Sequence, residues 1–475
     1  MLCRHGYYGE WDERIDSRQV DEPEKWYQSA CVLCSNGCAM DIGVKGNQVV
    51  AVRGRGVDRV NRGRLGPKGM HASIGLNQHQ DRLLYPQIRN PATGKLERAT
   101  WDEAMELIVN KTKETIKQWT AHAIGFYSTG QLMLEEYYAL AIIGKAGIST
   151  NHMDGNTRLC TATAAASMRE SFGSDGQIGM IVKHCIAYRL FDDLFICLTR
   201  LYVDTLHIYK GSYTDIDTTE CIMLVGHNMA ATQTVLWSRI LDRLAGPKPP
   251  QIICIDPRVT PVAEAATVHL QPNIGTNVAI LNGIQRYLIE HAYIDSEFVN
   301  KHTVGVDELW EIVKKYTPEY VCEVSNLDLN LFIKACEILG KCKSLLSTAL
   351  QGVYQSYQAT AAACQINNIN LLRGMIGRPG CGVLQMNGQP TAQNNRECGC
   401  DGEYTGFRNH QNPAHVNDLA THWNVEPETI SHWSVPTHIM QMLHYIENHT
   451  IKMFWIIGTN PVCRVLCQSN IQYSM

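Results

Sequence analysis

Between roughly residues 120 and 350 the chain alternates short apolar runs with longer helical stretches, and this alternation restricts the folds open to it. Ile124-Gly-Phe-Tyr, Cys221-Ile-Met-Leu-Val and Gln251-Ile-Ile-Cys-Ile are strand-like, and each runs into a turn carrying Gly, Ser, Asp or Pro. The rhythm is that of βαβ units in a parallel sheet, whose ligand loops follow the carboxyl ends of the strands. The expected class is α/β. At 475 residues the chain is too long for one compact domain, and two to four are expected.

The flanks read differently. Residues 28–84 form a Cys-, Gly- and Arg-rich module in which Val44 to Val52 alternates around Gly46-Asn47, a turn between two short strands. Helical patterning begins at Thr100-Trp101-Asp102-Glu103, with Thr100 as N-cap and Glu103 completing a capping box. From 374 to 415 Gly, Pro, Asn and Gln dominate without periodicity, and a long amide-rich loop inside a folded chain builds a site. The expected divisions are an N-terminal extension (1–27), the cysteine module (28–84) and a large remaining domain (85–475).

Charge excludes some partners. The balance is 42 basic against 46 acidic residues, a net of -4, which gives no electrostatic reason to bind nucleic acid or an anionic membrane. No run of eighteen apolar residues occurs, so a membrane span is not expected. The polar opening, Met1 to Gln28, has no apolar signal core and no twin arginine, which points to a reducing, cytoplasmic setting. In that setting, 18 cysteines suggest metal ligation or catalysis where they cluster and small buried hydrophobes where they scatter.

Cys31-x2-Cys34-x3-Cys38 is the sharpest cluster. A turn of backbone brings three thiolates at this spacing to a common centre. Structural zinc prefers four ligands, usually from two knuckles, and no second CxxC follows. An iron–sulfur cluster is therefore expected ahead of zinc or three unrelated buried thiols.

Ser29-Ala-Cys31-Val-Leu-Cys34-Ser-Asn-Gly-Cys38, followed by Val60-Asn-Arg-Gly-Arg-Leu-Gly66-Pro-Lys68-Gly69, resembles the N-terminus of molybdopterin oxidoreductases of the dimethyl-sulfoxide-reductase superfamily. Within it the chain is most similar to the assimilatory nitrate reductase branch. The similarity covers residues 28 to about 177 and 211 to 462. It implies a small N-terminal iron–sulfur module and Rossmann-like parallel-sheet domains, with a molybdenum bis-molybdopterin guanine dinucleotide cofactor. It also implies reduction of nitrate to nitrite, with electrons from a donor protein or domain passing through the cluster. The family's fourth cluster cysteine falls where Gly66 stands. The family pattern implies a 4Fe–4S cluster, whereas the residues present suit 3Fe–4S or an open-site cubane. Cys398-Gly-Cys400 is an alternative contributor or a pair of loop cysteines.

Asp154-Gly-Asn156-Thr-Arg-Leu-Cys160 is a polar turn entering an Ala-rich helix, where exposed N–H groups favour a thiolate. On spacing alone Cys160 reads as a buried structural cysteine. The resemblance makes it the protein ligand to molybdenum, which suits a soft thiolate. Formate dehydrogenases place His after this residue, and Thr161 here favours the nitrate branch. Ser128-Thr-Gly130-Gln131, Val225-Gly226-His-Asn228 and Ile255-Asp256-Pro-Arg258 each end a strand. Gly275-Thr276-Asn277 opens a helix, and Gln351 to Gln355 precedes another. The resemblance assigns these loops, with Lys68, Asn156 and Asn460, to the cofactor. It places Lys68 between the cluster and a pterin. Arg396 is the candidate for binding the oxyanion, or else pins a loop carboxylate.

Two stretches depart from the pattern. Residues 178–210 interrupt it, either as an inserted helix or as translated non-coding sequence, and the second is favoured because splicing near Gly179 and Lys210 restores the family's join. The match also stops near Pro461, so a truncated chain without the family's C-terminal β-barrel domain is expected. The runner-up functions are a formate-dehydrogenase-like enzyme and an inactive fragment or iron–sulfur scaffold.

Overall fold

The computed structural model describes residues 11–77, 80–172, 212–402, 404–432 and 436–461. The interrupting segment 178–210 and the final stretch from Cys463 lie outside the described residues. In chain order the first eight strands are β1 (Ser17–Gln19), β2 (Lys25–Ala30), β3 (Ala39–Lys45), β4 (Gln48–Gly54), β5 (Gln87–Arg89), β6 (Leu96–Arg98), β7 (Ile124–Ser128) and β8 (Met153–Gly155). The remaining six are β9 (Cys221–Val225), β10 (Gln251–Ile255), β11 (Val268–Leu270), β12 (Leu345–Ala349), β13 (Gly382–Gln385) and β14 (Met453–Ile456).

The described residues fold as two compact units, the first drawn from within 1–46, 50–70 and 159–388 and the second from within 47–49, 71–158 and 389–475. The first contains a four-stranded sheet ordered β1-β4-β3-β2. Its β3–β4 turn, Gly46-Asn47, holds both residues at positive φ (54° and 61°), the conformation a tight right-twisted hairpin needs. The same unit contains a five-stranded sheet ordered β11-β10-β9-β12-β13, with every pairing parallel. Strands β9 and β12 are buried along their whole length, consistent with helices on both faces. One apolar core, including Leu224, Ile253, Leu281, Phe332 and Leu346, surrounds this sheet.

The second unit contains the parallel sheet β14-β7-β8 and the antiparallel pair β5–β6. Helix Trp101–Trp119 opens with the expected capping box: Glu103 N donates to Thr100 Oγ1 at 3.2 Å, and Thr100 N donates to Glu103 Oε2 at 2.8 Å. The sheets formed by the described strands are open, and none closes into a barrel.

Candidate functional site

The five-stranded sheet has a topological switch point between β9 and β12, because the chain steps one way to β10 and β11 and the other way to β13. Such a sheet opens a crevice at the carboxyl ends of its central strands. Here the two backbones that follow those strands touch. Gly226 has φ +55°, Gly352 N donates to Gly226 O at 3.0 Å, and a Cβ at Gly226 would lie 2.7 Å from Gly352 backbone atoms. Only glycine permits that approach.

Most of the expected cofactor residues of this unit surround the crevice. Asn228 follows β9, and its Oδ1 is buried without a partner. Asp256 follows β10 and turns the loop by accepting from Arg258 N at 2.9 Å, while the Arg258 side chain stays largely in solvent, 4.0 Å from the carboxylate. Gly275, at φ +91°, has open space where a side chain would be. Asn277, the first residue of helix Asn277–Glu290, reaches Gly352 O at 3.4 Å. Thr276 bonds its own turn at Asn273 O, 2.7 Å away.

Cys160 enters from helix Arg158–Phe172, in its first turn. The next residue, Thr161, leaves helical geometry (φ -135°, ψ 18°), so the thiol sits on a kink rather than within a regular turn. Gln351 Nε2 donates to Cys160 Sγ at 2.8 Å and lies 3.3 Å from its carbonyl, and Gln355 Nε2 donates to Leu159 O at 3.1 Å. The two glutamines after β12 thus fix the position of the candidate metal ligand. Gln351 Oε1, Asn228 Oδ1 and Asn387 Oδ1 are all buried without partners. Buried amide oxygens are rarely left unpaired, and a polar ligand with N–H or O–H groups would satisfy them. These residues fit a nucleotide-bearing pterin.

The three module cysteines lie between β2 and β3, where Cys31 N donates to Cys38 O at 2.9 Å and closes the loop. Burial pushes the free Cys31 and Cys38 thiols up, and both are raised further by neighbouring cysteines. Metal ligation would therefore have to displace protons that the loop holds firmly. Among the described residues no three His, Cys, Asp or Glu side chains gather tightly enough for a single metal ion. A multi-iron cluster instead asks each thiolate to reach a separate iron. Lys68 Nζ donates to Leu33 O at 3.3 Å, which sets its cation over the loop. Gly69 leaves room beside Cys31 Sγ, which a Cβ there would approach to 3.2 Å. Asn36, 2% exposed, has both amide atoms unpaired. A Cβ at Gly66 would meet only Thr234 Oγ1, 2.8 Å away. The loop fits a cluster held by three thiolates.

In the second unit Asn156 is buried and knits its surroundings. It accepts from Gly130 N at 3.2 Å and donates to Thr129 and Thr459 hydroxyls at 3.3 and 3.2 Å. Gln131 and Asn460 are exposed, and Arg396 is buried in helix Ala392–Glu397. Cys398 and Cys400 belong to this unit's core, their thiols directed at the Leu134 and Tyr137 carbonyls at 3.7 and 3.1 Å. Sequence reasoning missed Asn395, which is buried, accepts from Ser128 Oγ at 2.9 Å and donates to Thr157 Oγ1 at 3.2 Å. It also missed Ser35, Thr234 and Gln233 beside the cysteine loop. Of these, only Ser35 carried a signal, as a polar residue enclosed by candidate ligands.

The molybdopterin oxidoreductase family pattern matches residues 82–474, and the molybdopterin oxidoreductase Fe4S4 domain matches residues 24–77. The chain belongs to the molybdopterin oxidoreductase family, whose members are enzymes. A nitrate reductase from Synechocystis sp. is 28% identical over 92% of this chain and 57% of its own length. The alpha subunit of a formate dehydrogenase from Methanococcus maripaludis is 27% identical over 91% of this chain and 57% of its own. The solved acetylene hydratase of Pelobacter acetylenicus shares the fold, with a TM-score of 0.66 at 18% identity, over 94% of this chain and 59% of that one. The chain spans a little over half the length of these curated relatives. Among the described residues, no helix is long and apolar enough to cross a membrane.

Proposed function

We propose that the chain is the catalytic part of a molybdenum nitrate reductase, converting nitrate to nitrite and water with two electrons and two protons. The observation that carries this reading is the candidate thiol ligand Cys160, held by Gln351 beside the glycine-lined crevice of the parallel sheet. A molybdenum centre held by bis-molybdopterin guanine dinucleotide supplies oxygen-atom transfer when bound. The residues' own tasks are binding and orientation. Cys160 offers a thiolate to the metal, and Gln351 fixes its direction. Gly226, Asn228, Asp256, Arg258, Gly275, Thr276, Asn277 and Gln355 are assigned to the dinucleotide cofactor, as are Gln131, Asn156 and Asn460. Arg396 binds the oxyanion.

Cys31, Cys34 and Cys38 hold an iron–sulfur cluster that takes electrons from a donor protein or domain, and Lys68 stabilises the anionic centres it faces. The three-thiolate set leaves one position without cysteine at Gly66, so the nuclearity assigned is an open-site cubane or 3Fe–4S. The compartment assigned is the cytoplasm, where the described cysteines, all free thiols, stay reduced. The nitrate assignment rests on Thr161 after Cys160 and on the nitrate reductase relatives. The test is dye-linked turnover of the purified chain with nitrate and with formate. Nitrate consumption without formate oxidation is expected, and the reverse promotes the formate reading.

A further inference from the structure

Ser35 lies between two candidate cluster ligands, and its side chain is the end of a hydrogen-bond chain that begins in the five-stranded sheet. Gln233 Nε2 lies 3.1 Å from Ser35 Oγ and 3.2 Å from Asn387 O. A carbonyl cannot donate, so the nitrogen of Gln233 faces the loop and its Oε1 faces the other way. That Oε1 is 2.9 Å from His227 Nε2, which must therefore carry the proton. His227 Nδ1 is then a bare acceptor, and Thr348 Oγ1, 2.9 Å away, donates to it. Ser35 Oγ in turn donates to Asn387 O. Thr232 Oγ1 also donates to Gln233 Oε1. His227 is 1% exposed, and burial lowers its pKa to about 4, so the imidazole is neutral and this tautomer persists at ordinary pH.

Thr348, His227 and Gln233 all donate in the same sense, from the sheet towards Ser35 in the cysteine loop, and the Ser35 hydroxyl then turns aside to Asn387 O. Aligned hydrogen bonds polarise one another, and the positive ends of these three face Ser35, the residue after Cys34. A second donor holds the same residue: Tyr213 Oη donates to Ser35 O at 2.7 Å. Thr348 lies on β12, three residues before Gln351, which holds Cys160. Hydrogen bonds around an iron–sulfur cluster stabilise its more negative, reduced form and raise its potential.

We infer that His227 and Gln233 are positioning residues that clamp Ser35 and, through the aligned donors, raise the reduction potential of a cluster held by Cys31, Cys34 and Cys38. The inference rests on the iron–sulfur reading of that loop. The test is a potentiometric titration of the full chain, reconstituted anaerobically with iron and sulfide and followed by EPR. Gln233→Leu and His227→Leu should lower the midpoint potential and alter the reduced-state signal at unchanged iron per protein. His227→Gln, whose amide can still donate to Gln233, should recover most of the shift, which a merely space-filling role would not do. Thr348→Val removes the farthest donor with little change of shape and should give a smaller shift in the same direction. It also serves if the leucine variants fail to fold. Wild-type potentials in Thr348→Val and in every leucine variant that folds would overturn the inference. A wild-type chain that takes up no iron would overturn the iron–sulfur reading instead.

Discussion

Gly226→Ala tests the crevice most sharply, because the cost has two separable parts. At φ +55° an added Cβ costs about 1–2 kcal/mol in backbone strain. The same Cβ would lie 2.7 Å from the Gly352 backbone, which cannot swing aside like a side chain, and such overpacking costs about 1–3 kcal/mol more. The expected loss is therefore roughly 2–5 kcal/mol. Gly275→Ala is the internal control: its φ is +91° but nothing lies within 4 Å of the new Cβ, so only the strain remains. Urea unfolding followed by tryptophan fluorescence, to which the core residue Trp237 contributes, should show a clearly larger drop in midpoint for Gly226→Ala. Gly275→Ala should keep most of its stability yet bind less pterin if, as proposed, the open space at this position takes the ligand. Equal midpoints for the two variants would refute the claim that the backbones after β9 and β12 are pressed together.

Further outcomes follow from the same geometry. Gly66→Cys should shift the reduced-state EPR signal towards a four-iron cluster, and more completely with Thr234→Ala, which removes the hydroxyl that the new Cβ would meet at 2.8 Å. Cys160→Ala should lower dye-linked nitrate reduction by orders of magnitude while molybdenum content falls less, since the residues proposed to hold the pterin are untouched. His227 is neutral in the folded state, with its pKa lowered from 6.5 to about 4, so the unfolded chain binds more protons in that window. Its contribution to stability is present above pH 6.5 and is lost as pH falls towards 4. Asp215 opposes this. Burial raises its pKa from 3.8 to about 6, so its contribution is lost as pH rises through that range. Urea midpoints of His227→Gln between pH 4 and 7 should show a weaker acid-side loss than wild type.

Local chemistry was legible in the sequence and distant contacts were not. Gly46-Asn47 and the Thr100–Glu103 box were readable because a turn or a cap is decided by residues three or four apart. Strands β7, β9 and β10 announced themselves as unbroken apolar runs. Strand β12 did not, because Ser347 and Thr348 interrupt it. Those two polar residues are buried for their bonds, Ser347 Oγ to Asn370 Oδ1 at 2.6 Å and Thr348 to His227. Strand β11 has three residues, too few to show a period. The site followed the same rule. The ligand spacing of Cys31, Cys34 and Cys38 was local, whereas the bond of Gln351 to Cys160 spans 191 positions and that of Gln233 to Ser35 spans 198. Thr234 at the Gly66 position was invisible for the same reason.

The most direct test of the whole account is the molybdenum content of the full chain, purified without oxygen from a host that makes the pterin cofactor. Molybdenum bound together with iron is expected, with less molybdenum in Gly275→Ala and the iron unaffected. Iron without molybdenum in the wild-type chain would contradict it, leaving the cysteine module as a scaffold and the crevice at the sheet's switch point without its ligand.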